Sequence, residues 1–205
     1  DQFLEPNKPL IFIDDDRFVY TTDNRDGYYN LYLYSLKKNQ LTRLTRVNAD
    51  VEYLDHDNKY VYYYSAEVSS AERHLCRVNI ATGKSVRLTR AEGWHQCQLS
   101  TDKRYFTDNY SSLNVPRVVA VGGTDGKFYR EVFKAEDPCK DYNFAPIELG
   151  TIKSADGKYD NHYRLIRPLD FDSTQQYPVI LYVYGGPHTQ LVRNSYQANL
   201  RRWEM

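Results

Sequence analysis

Along most of this chain, apolar and polar positions alternate in short runs broken by Gly, Asp, Asn and Ser. The alternation is plainest in Asn30-Leu31-Tyr32-Leu33-Tyr34, and a period of two predicts strands with one covered face. More uniformly apolar stretches lie at residues 18–21, 60–64 and 105–106. Ahead of each is a short strand-like run, at residues 9–13, 51–54 and 95–99. Each short run ends in a polar turn: Asp14-Asp15-Asp16, residues 55–58 and residues 100–103. The dipeptides Asp26-Gly27, Thr82-Gly83 and Asp125-Gly126 mark further turns.

These elements repeat. Residues 18–46 (FVYTTDNRDGYYNLYLYSLKKNQLTRLTR) and 60–90 (YVYYYSAEVSSAERHLCRVNIATGKSVRLTR) share landmarks. Leu31 corresponds to Leu75, and Leu44-Thr45-Arg46 to Leu88-Thr89-Arg90, both at a shift of 44. A weaker third copy spans residues 105–133, with Gly126 placed 43 residues after Gly83. Each unit holds a short inner strand, an apolar strand, an alternating strand and an outer strand. Four strands per repeat of about 40–45 residues is the pattern of a β-propeller blade. A stacked solenoid of β units is the alternative. Three blades do not close a ring, so further blades are expected before residue 1. No Trp-Asp dipeptide occurs, and Trp94 and Trp203 lie off the repeat landmarks, so the repeat is not of the WD type.

The pattern then breaks. Residues 134–145 (KAEDPCKDYNFA) read as a linker, and residues 146–153 and 159–167 as a hairpin around Ser154-Ala155-Asp156-Gly157. Residues 168–176 read as a loop. Residues 177–184 (YPVILYVY) are apolar without alternation, which predicts a strand covered on both faces. They lead into Gly185-Gly186-Pro187-His188 and a segment of helix-compatible composition, residues 189–204. The fold class predicted is mainly β: about three four-stranded propeller blades over residues 1–133, a linker over 134–145, and the first strands of an α/β-hydrolase-like domain over 146–205.

Composition sharpens this picture in few places. The 20 tyrosines suit half-buried pleated surfaces. Lys plus Arg and Asp plus Glu balance at 27 each with no basic stripe, which argues against a nucleic-acid partner. No apolar run reaches the length of a membrane-spanning helix. Cys76, Cys97 and Cys139 have no metal-ligand spacing; they allow at most one disulfide and read as buried or strand-borne thiols. Asp14, Asp15 and Asp16 read as a solvated turn rather than a calcium site. No metal and no cofactor is expected.

A propeller followed by a strand ending in Val183-Tyr184-Gly185-Gly186-Pro187 resembles the prolyl oligopeptidase family of serine peptidases, in which a propeller caps an α/β-hydrolase domain. The resemblance spans essentially the whole chain and is strongest to the dipeptidyl-peptidase IV subfamily. It is carried by Glu5-Pro6 with Pro9-Leu10, Arg25-Asp26-Gly27-Tyr28 with Asn30-Leu31-Tyr32, and Asp108-Asn109-Tyr110-Ser111-Ser112 with Pro116. Tyr-Gly-Gly-Pro, in place of Tyr-Ala-Gly-Pro, is similar to the bacterial members.

The resemblance implies release of N-terminal Xaa-Pro or Xaa-Ala dipeptides from a peptide substrate by Ser-His-Asp acyl-enzyme chemistry. It assigns Tyr184 as a side-chain donor of the oxyanion hole, with Gly185 and Gly186 giving the backbone freedom beside the substrate. A phenol, with an ordinary pKa of about 10, stays protonated at neutral pH and can donate throughout the cycle. No Gly-x-Ser-x-Gly occurs, and in this fold the triad follows the oxyanion strand. The chain alone is therefore expected to be inactive, and to associate through open strand edges. None of His56, His74, His95, His162 and His188 is expected to act in catalysis. No Glu-Glu pair, which the subfamily uses to hold a free amino terminus, is present. The parent protein is expected to be a homodimer, with a periplasmic or secreted location implied by the resemblance. The alternative is a non-catalytic binding propeller, or a peptidase homologue that has lost its triad.

Overall fold

A computed structural model describes residues 10–186, 189–200 and 204. It is built almost wholly of antiparallel β structure. The first sheet is β1 (Ile11–Phe12), β2 (Arg17–Thr22), β3 (Asn30–Ser35) and β4 (Gln40–Arg43). The second is β5 (Val51–His56), β6 (Tyr60–Ser65), β7 (His74–Asn79) and β8 (Ser85–Arg87). The third is β9 (Trp94–Leu99), β10 (Tyr105–Ser112), β11 (Val115–Gly123) and β12 (Tyr129–Lys134). Each is a four-stranded meander in chain order, as the repeat predicts. A fourth, two-stranded sheet pairs β13 (Ile147–Lys153) with β14 (Asp160–Ile166).

The repeat landmarks have a common physical cause. After β4 and β8 the chain leaves its sheet, and the next ladder acceptor for the central strand is lost. A threonine hydroxyl replaces it. Leu31 N–H donates to Thr45 Oγ1 at 2.8 Å while Leu44 N–H donates to the Leu31 carbonyl at 2.8 Å. The second blade repeats this, with Leu75 N–H to Thr89 Oγ1 at 3.2 Å and Leu88 N–H to the Leu75 carbonyl at 2.8 Å. The turn before the outer strand needs a left-handed residue. Asn39 (φ 46°), Gly83 (φ 67°) and Gly126 (φ 79°) supply it. The first blade therefore uses asparagine where the other two use glycine, and Asp26-Gly27 lies one turn earlier, between β2 and β3.

One prediction needs correction. The second strand of the third blade was expected over residues 105–106, but β10 runs to Ser112. Its inward positions include Asp108 and Ser112, both buried. Polar groups on the covered face hide the alternation that identifies a strand.

Two seams join the blades. Between the first and second, Val19, Leu31, Val51, Val61, Tyr63 and Val78 form a buried apolar cluster. The second seam is part apolar, with Tyr62, Tyr64, Leu75, Leu88 and Phe106, and part polar. Tyr64 Oη accepts from Cys97 N–H at 2.6 Å and donates to the Cys97 carbonyl at 3.0 Å. The Arg73 guanidinium lies between the rings of Tyr64 and Trp94, 4.3 and 4.9 Å from their centroids.

All three cysteines are free thiols, with Cys76 and Cys97 buried and Cys139 partly so. Burial pushes the Cys76 thiol up to about 12. Cys97 is raised further by burial and by the adjacent Asp108 carboxylate.

Candidate active-site segment and its anchorage

Tyr184 lies at the end of the apolar run 177–184, which joins no sheet ladder among the described residues. Val179, Ile180 and Leu181 are 82–84% exposed. The expectation of a strand covered on both faces is therefore not met among the described residues. Such a strand depends on neighbours for its backbone groups and for both side-chain faces, and Val179, Ile180 and Leu181 stand exposed without that cover.

The Tyr184 phenol folds back over Gly186. A Cβ placed at Gly186 would stand 2.9 Å from Tyr184 Oη and 3.0 Å from Cζ, while one at Gly185 would meet nothing within 4 Å. Neither glycine has a positive φ. What Gly186 provides is room for the phenol, and not an unusual backbone conformation; Gly185 has no such role. Pro187 and His188 lie outside the described residues.

Over the described residues 189–200 the helix expected for 189–204 is not formed. A short 3₁₀ turn, Tyr196–Asn199, stands in its place, with Gln197 and Ala198 at φ 53° and 47°. The cause is competition for the backbone groups. Asn194 N–H donates to the Ala71 carbonyl at 2.7 Å, Tyr196 N–H to Ser111 Oγ at 3.1 Å, and Gln197 N–H to the Leu113 carbonyl at 3.2 Å. Gln190 Nε2 donates to the Ser70 carbonyl. The Arg193 guanidinium covers Trp94, 4.6 Å from the ring centroid. On the other side, Arg164 of β14 donates to the Ala198 carbonyl at 2.9 Å and pairs with Glu204, and Tyr196 Oη bonds Asp137. Residues 190–200 thus clasp the second and third blades to the hairpin.

Under this clasp lies a buried polar cluster that the sequence reading left unassigned. His74 sits 44 residues after Asn30, and both receive the hydroxyl of the blade threonine. Thr45 Oγ1 donates to Asn30 Oδ1 at 2.8 Å, and Thr89 Oγ1 lies 3.1 Å from His74 Nδ1. Thr89 Oγ1 already accepts Leu75 N–H, so its proton points to Nδ1, and His74 Nε2–H donates to Glu72 Oε2 at 2.8 Å. That is a neutral imidazole. Burial, opposed by Glu72, accordingly lowers the His74 pKa from 6.5. Burial also works against the Glu72 carboxylate, but hydrogen bonds from His74, Asn194 and the Gly93 N–H outweigh it and hold Glu72 below its ordinary range.

The Glu72–His74–Thr89 connectivity has the form of an acid, a base and a hydroxyl. Thr89 is 1% exposed and its oxygen holds a backbone N–H, so no substrate can reach it.

Next to it, His95 packs at a tilt against His74 and stacks on Tyr110, with centroids 5.0 and 4.8 Å away. His95 Nδ1 lies 2.7 Å from Asp108 Oδ2, and Nε2 lies 2.9 Å from the Ala91 carbonyl. Both ring nitrogens face acceptors. Asp108 also accepts Tyr129 Oη at 2.7 Å and Cys97 Sγ at 3.4 Å. His95 and Asp108 are fully buried, and this pair joins β9 to β10. His56 bonds Tyr53 Oη at 2.7 Å, and His162 lies exposed on β14. Asp14 accepts the N–H groups of Asp16 and Arg17 and pairs with the Arg17 guanidinium. Asp16 accepts Ser35 Oγ and Lys37 N–H. The acidic turn is occupied in tying β1, β2 and β3 together.

Comparison with known proteins agrees with this architecture. Residues 1–117 match the family model for the dipeptidyl peptidase IV (DPP IV) N-terminal region. Over 156 residues the chain is 29% identical to mouse (Mus musculus) dipeptidyl peptidase 8, a match that covers 71% of this chain and 17% of that protein. The crystal structure of a candidate dipeptidyl aminopeptidase IV from Bacteroides ovatus superposes with a TM-score of 0.84 at 32% identity, covering 96% of this chain and 31% of that one. Dipeptidyl peptidase 4 of Porphyromonas gingivalis superposes with a TM-score of 0.78 at 30% identity, covering 91% and 27%. The chain thus spans between about a sixth and a third of the length of these relatives. The three blades, their order and the segment beyond them place this chain in the dipeptidyl peptidase IV family.

Proposed function

We propose that this chain is the part of a serine dipeptidyl peptidase in which the last propeller blades, residues 1–133, meet the start of the α/β-hydrolase domain, residues 146–205, through the linker 134–145. Its chemical contribution is one half of the oxyanion hole. When a serine hydroxyl attacks the carbonyl of an Xaa-Pro or Xaa-Ala bond, the oxygen becomes an anion and needs donors already in place. The Tyr184 phenol is one; the other is the backbone N–H after the nucleophile, which belongs to a later part of the fold. The observation that carries this reading is the position of Tyr184, folded over the bare Cα of Gly186 at the end of the apolar run. The same reading makes the parent protein a periplasmic or secreted homodimer.

The test is Tyr184→Phe in the full-length protein, assayed on an Xaa-Pro chromogenic substrate. Loss of one oxyanion donor lowers turnover by about 10²–10³, and unchanged turnover removes Tyr184 from the mechanism. Fluorophosphonate labelling of the full-length protein, and its absence from residues 1–205 alone, separates a peptidase from a binding propeller.

A further inference from the structure

We infer that Gly186 is a positioning residue for Tyr184 and acts by having no side chain; this rests on the reading of Tyr184 as the oxyanion donor. A donor of this kind must stand where the charge will form before the charge appears. Tyrosine is a demanding choice for that task, because its hydroxyl lies at the tip of a long lever that turns about χ1. A small turn moves the oxygen further than any other atom of the side chain. Tyr184 is 43% exposed, and the far end of its ring rests over the bare Cα of Gly186. A Cβ at Gly186 would stand 2.9 Å from Oη, 3.0 Å from Cζ and 3.1 Å from Cε1. Non-bonded carbon atoms settle at about 3.5–4.0 Å, so the tip of the phenol would have to back away by about 0.5 Å or more.

Every atom that a side chain at Gly186 would strike belongs to the phenol and none to the backbone. The struck atoms are also the ones that move most easily. Gly186 has no positive φ, so its backbone does not of itself demand glycine. Added bulk at this position is therefore relieved by swinging the hydroxyl, at little cost to the fold. Gly185 supplies the contrast inside the same turn. It too lacks a positive φ, and a Cβ there meets nothing within 4 Å. Two adjacent glycines thus differ in one respect, which is contact with the donor. A donor displaced by about 1 Å loses up to about 10² in rate. An interaction that matters mainly in the transition state lowers kcat and leaves KM nearly unchanged. The position of the phenol and the stability of the fold are separable at this residue.

The test is a mutant cycle in the full-length protein, with kcat, KM and melting temperature measured for each variant on an Xaa-Pro chromogenic substrate. Gly186→Ala is expected to lower kcat about 10–100-fold, with little change in KM and an unaltered melting temperature. Gly185→Ala is expected to lose much less. Once the hydroxyl is gone its displacement has no consequence, so Gly186→Ala added to Tyr184→Phe is expected to lower turnover no further. A further loss in the double variant shows damage that does not run through the hydroxyl, and overturns the positioning role. Equal losses from Gly185→Ala and Gly186→Ala overturn it as well, as does a Gly186→Ala effect confined to KM or matched by a fall in melting temperature. Normal kcat in Gly186→Ala, where Tyr184→Phe has lost turnover, also overturns it. A Tyr184→Phe variant with normal turnover overturns instead the reading of Tyr184 on which this rests.

Discussion

The threonine that closes each blade offers a direct measure of what holds a blade together, and Thr45→Val isolates it. Thr45 is fully buried. Its hydroxyl accepts Leu31 N–H at 2.8 Å and donates to Asn30 Oδ1 at 2.8 Å. Valine has nearly the same shape, so no cavity forms and the volume of the site is kept. What is lost is the acceptor for the Leu31 N–H, and a buried donor left without a partner costs about 1–3 kcal/mol. Asn30 Oδ1 keeps only the Val47 N–H, at 3.5 Å. The methyl that replaces the hydroxyl returns under about 1 kcal/mol by burial. The net loss expected is about 1–2 kcal/mol, or a fall of about 2–4 °C in Tm for each kcal/mol in a domain of this size. Thr89→Val should lie at the lower end, since its bonds are longer, at 3.2 and 3.1 Å. The assay is urea unfolding followed by tyrosine and tryptophan fluorescence, with Thr45→Ser as the control that keeps the hydroxyl. A Thr45→Val protein as stable as the wild type, or less affected than Thr45→Ser, would refute the argument.

Acid should loosen the second seam before it affects the first. The His74 pKa is depressed in the folded state, so the unfolded chain binds more protons below 6.5, and stability falls as pH drops from there. Glu72, also depressed, adds its own loss below 4.5. The groups facing His74 are Glu72, His95 and Arg87. His74→Asn, which copies Asn30 of the first blade, should abolish the loss that begins near 6.5; unfolding midpoints that fall equally in both proteins would count against this. Thiol chemistry should separate the cysteines: under native conditions Cys139 reacts with a disulfide reagent, while Cys76 and Cys97, buried and held as thiols, react only on unfolding. Rapid modification of all three in the folded protein would contradict the packing of both seams.

The blades were legible in the sequence because each landmark has a local cause. A left-handed turn residue, a threonine in place of a ladder acceptor and an alternating central strand each leave a mark at fixed spacing. The third blade was harder to read, since Asp108 and Ser112 turn inward on β10 and break the apolar pattern. The clasp was not legible. Residues 189–204 have helix-compatible composition, yet Asn194, Tyr196 and Gln197 bond to Ala71, Ser111 and Leu113 across more than 80 residues of chain, and local propensity carries no record of such partners. A signal for His74 was present, in its place 44 residues after Asn30. Histidine is less often read as a strand residue closing a loop than as a candidate base. Tyr184 was singled out by resemblance alone, since one tyrosine among 20 carries no local mark of its role.

The contrast between the two seams reaches beyond acid. The seam built on Val19, Leu31, Val61 and Val78 depends on apolar burial, which weakens on cooling. The seam between the second and third blades adds to its apolar cluster hydrogen bonds that cross it, between Tyr64 and the Cys97 backbone and from Arg73 to the His95 carbonyl, which do not fade in the same way in the cold. The two seams of the middle blade thus differ in thermal character. Chilling strains one side of the middle blade and low pH the other, so the middle blade can part from either neighbour without parting from both.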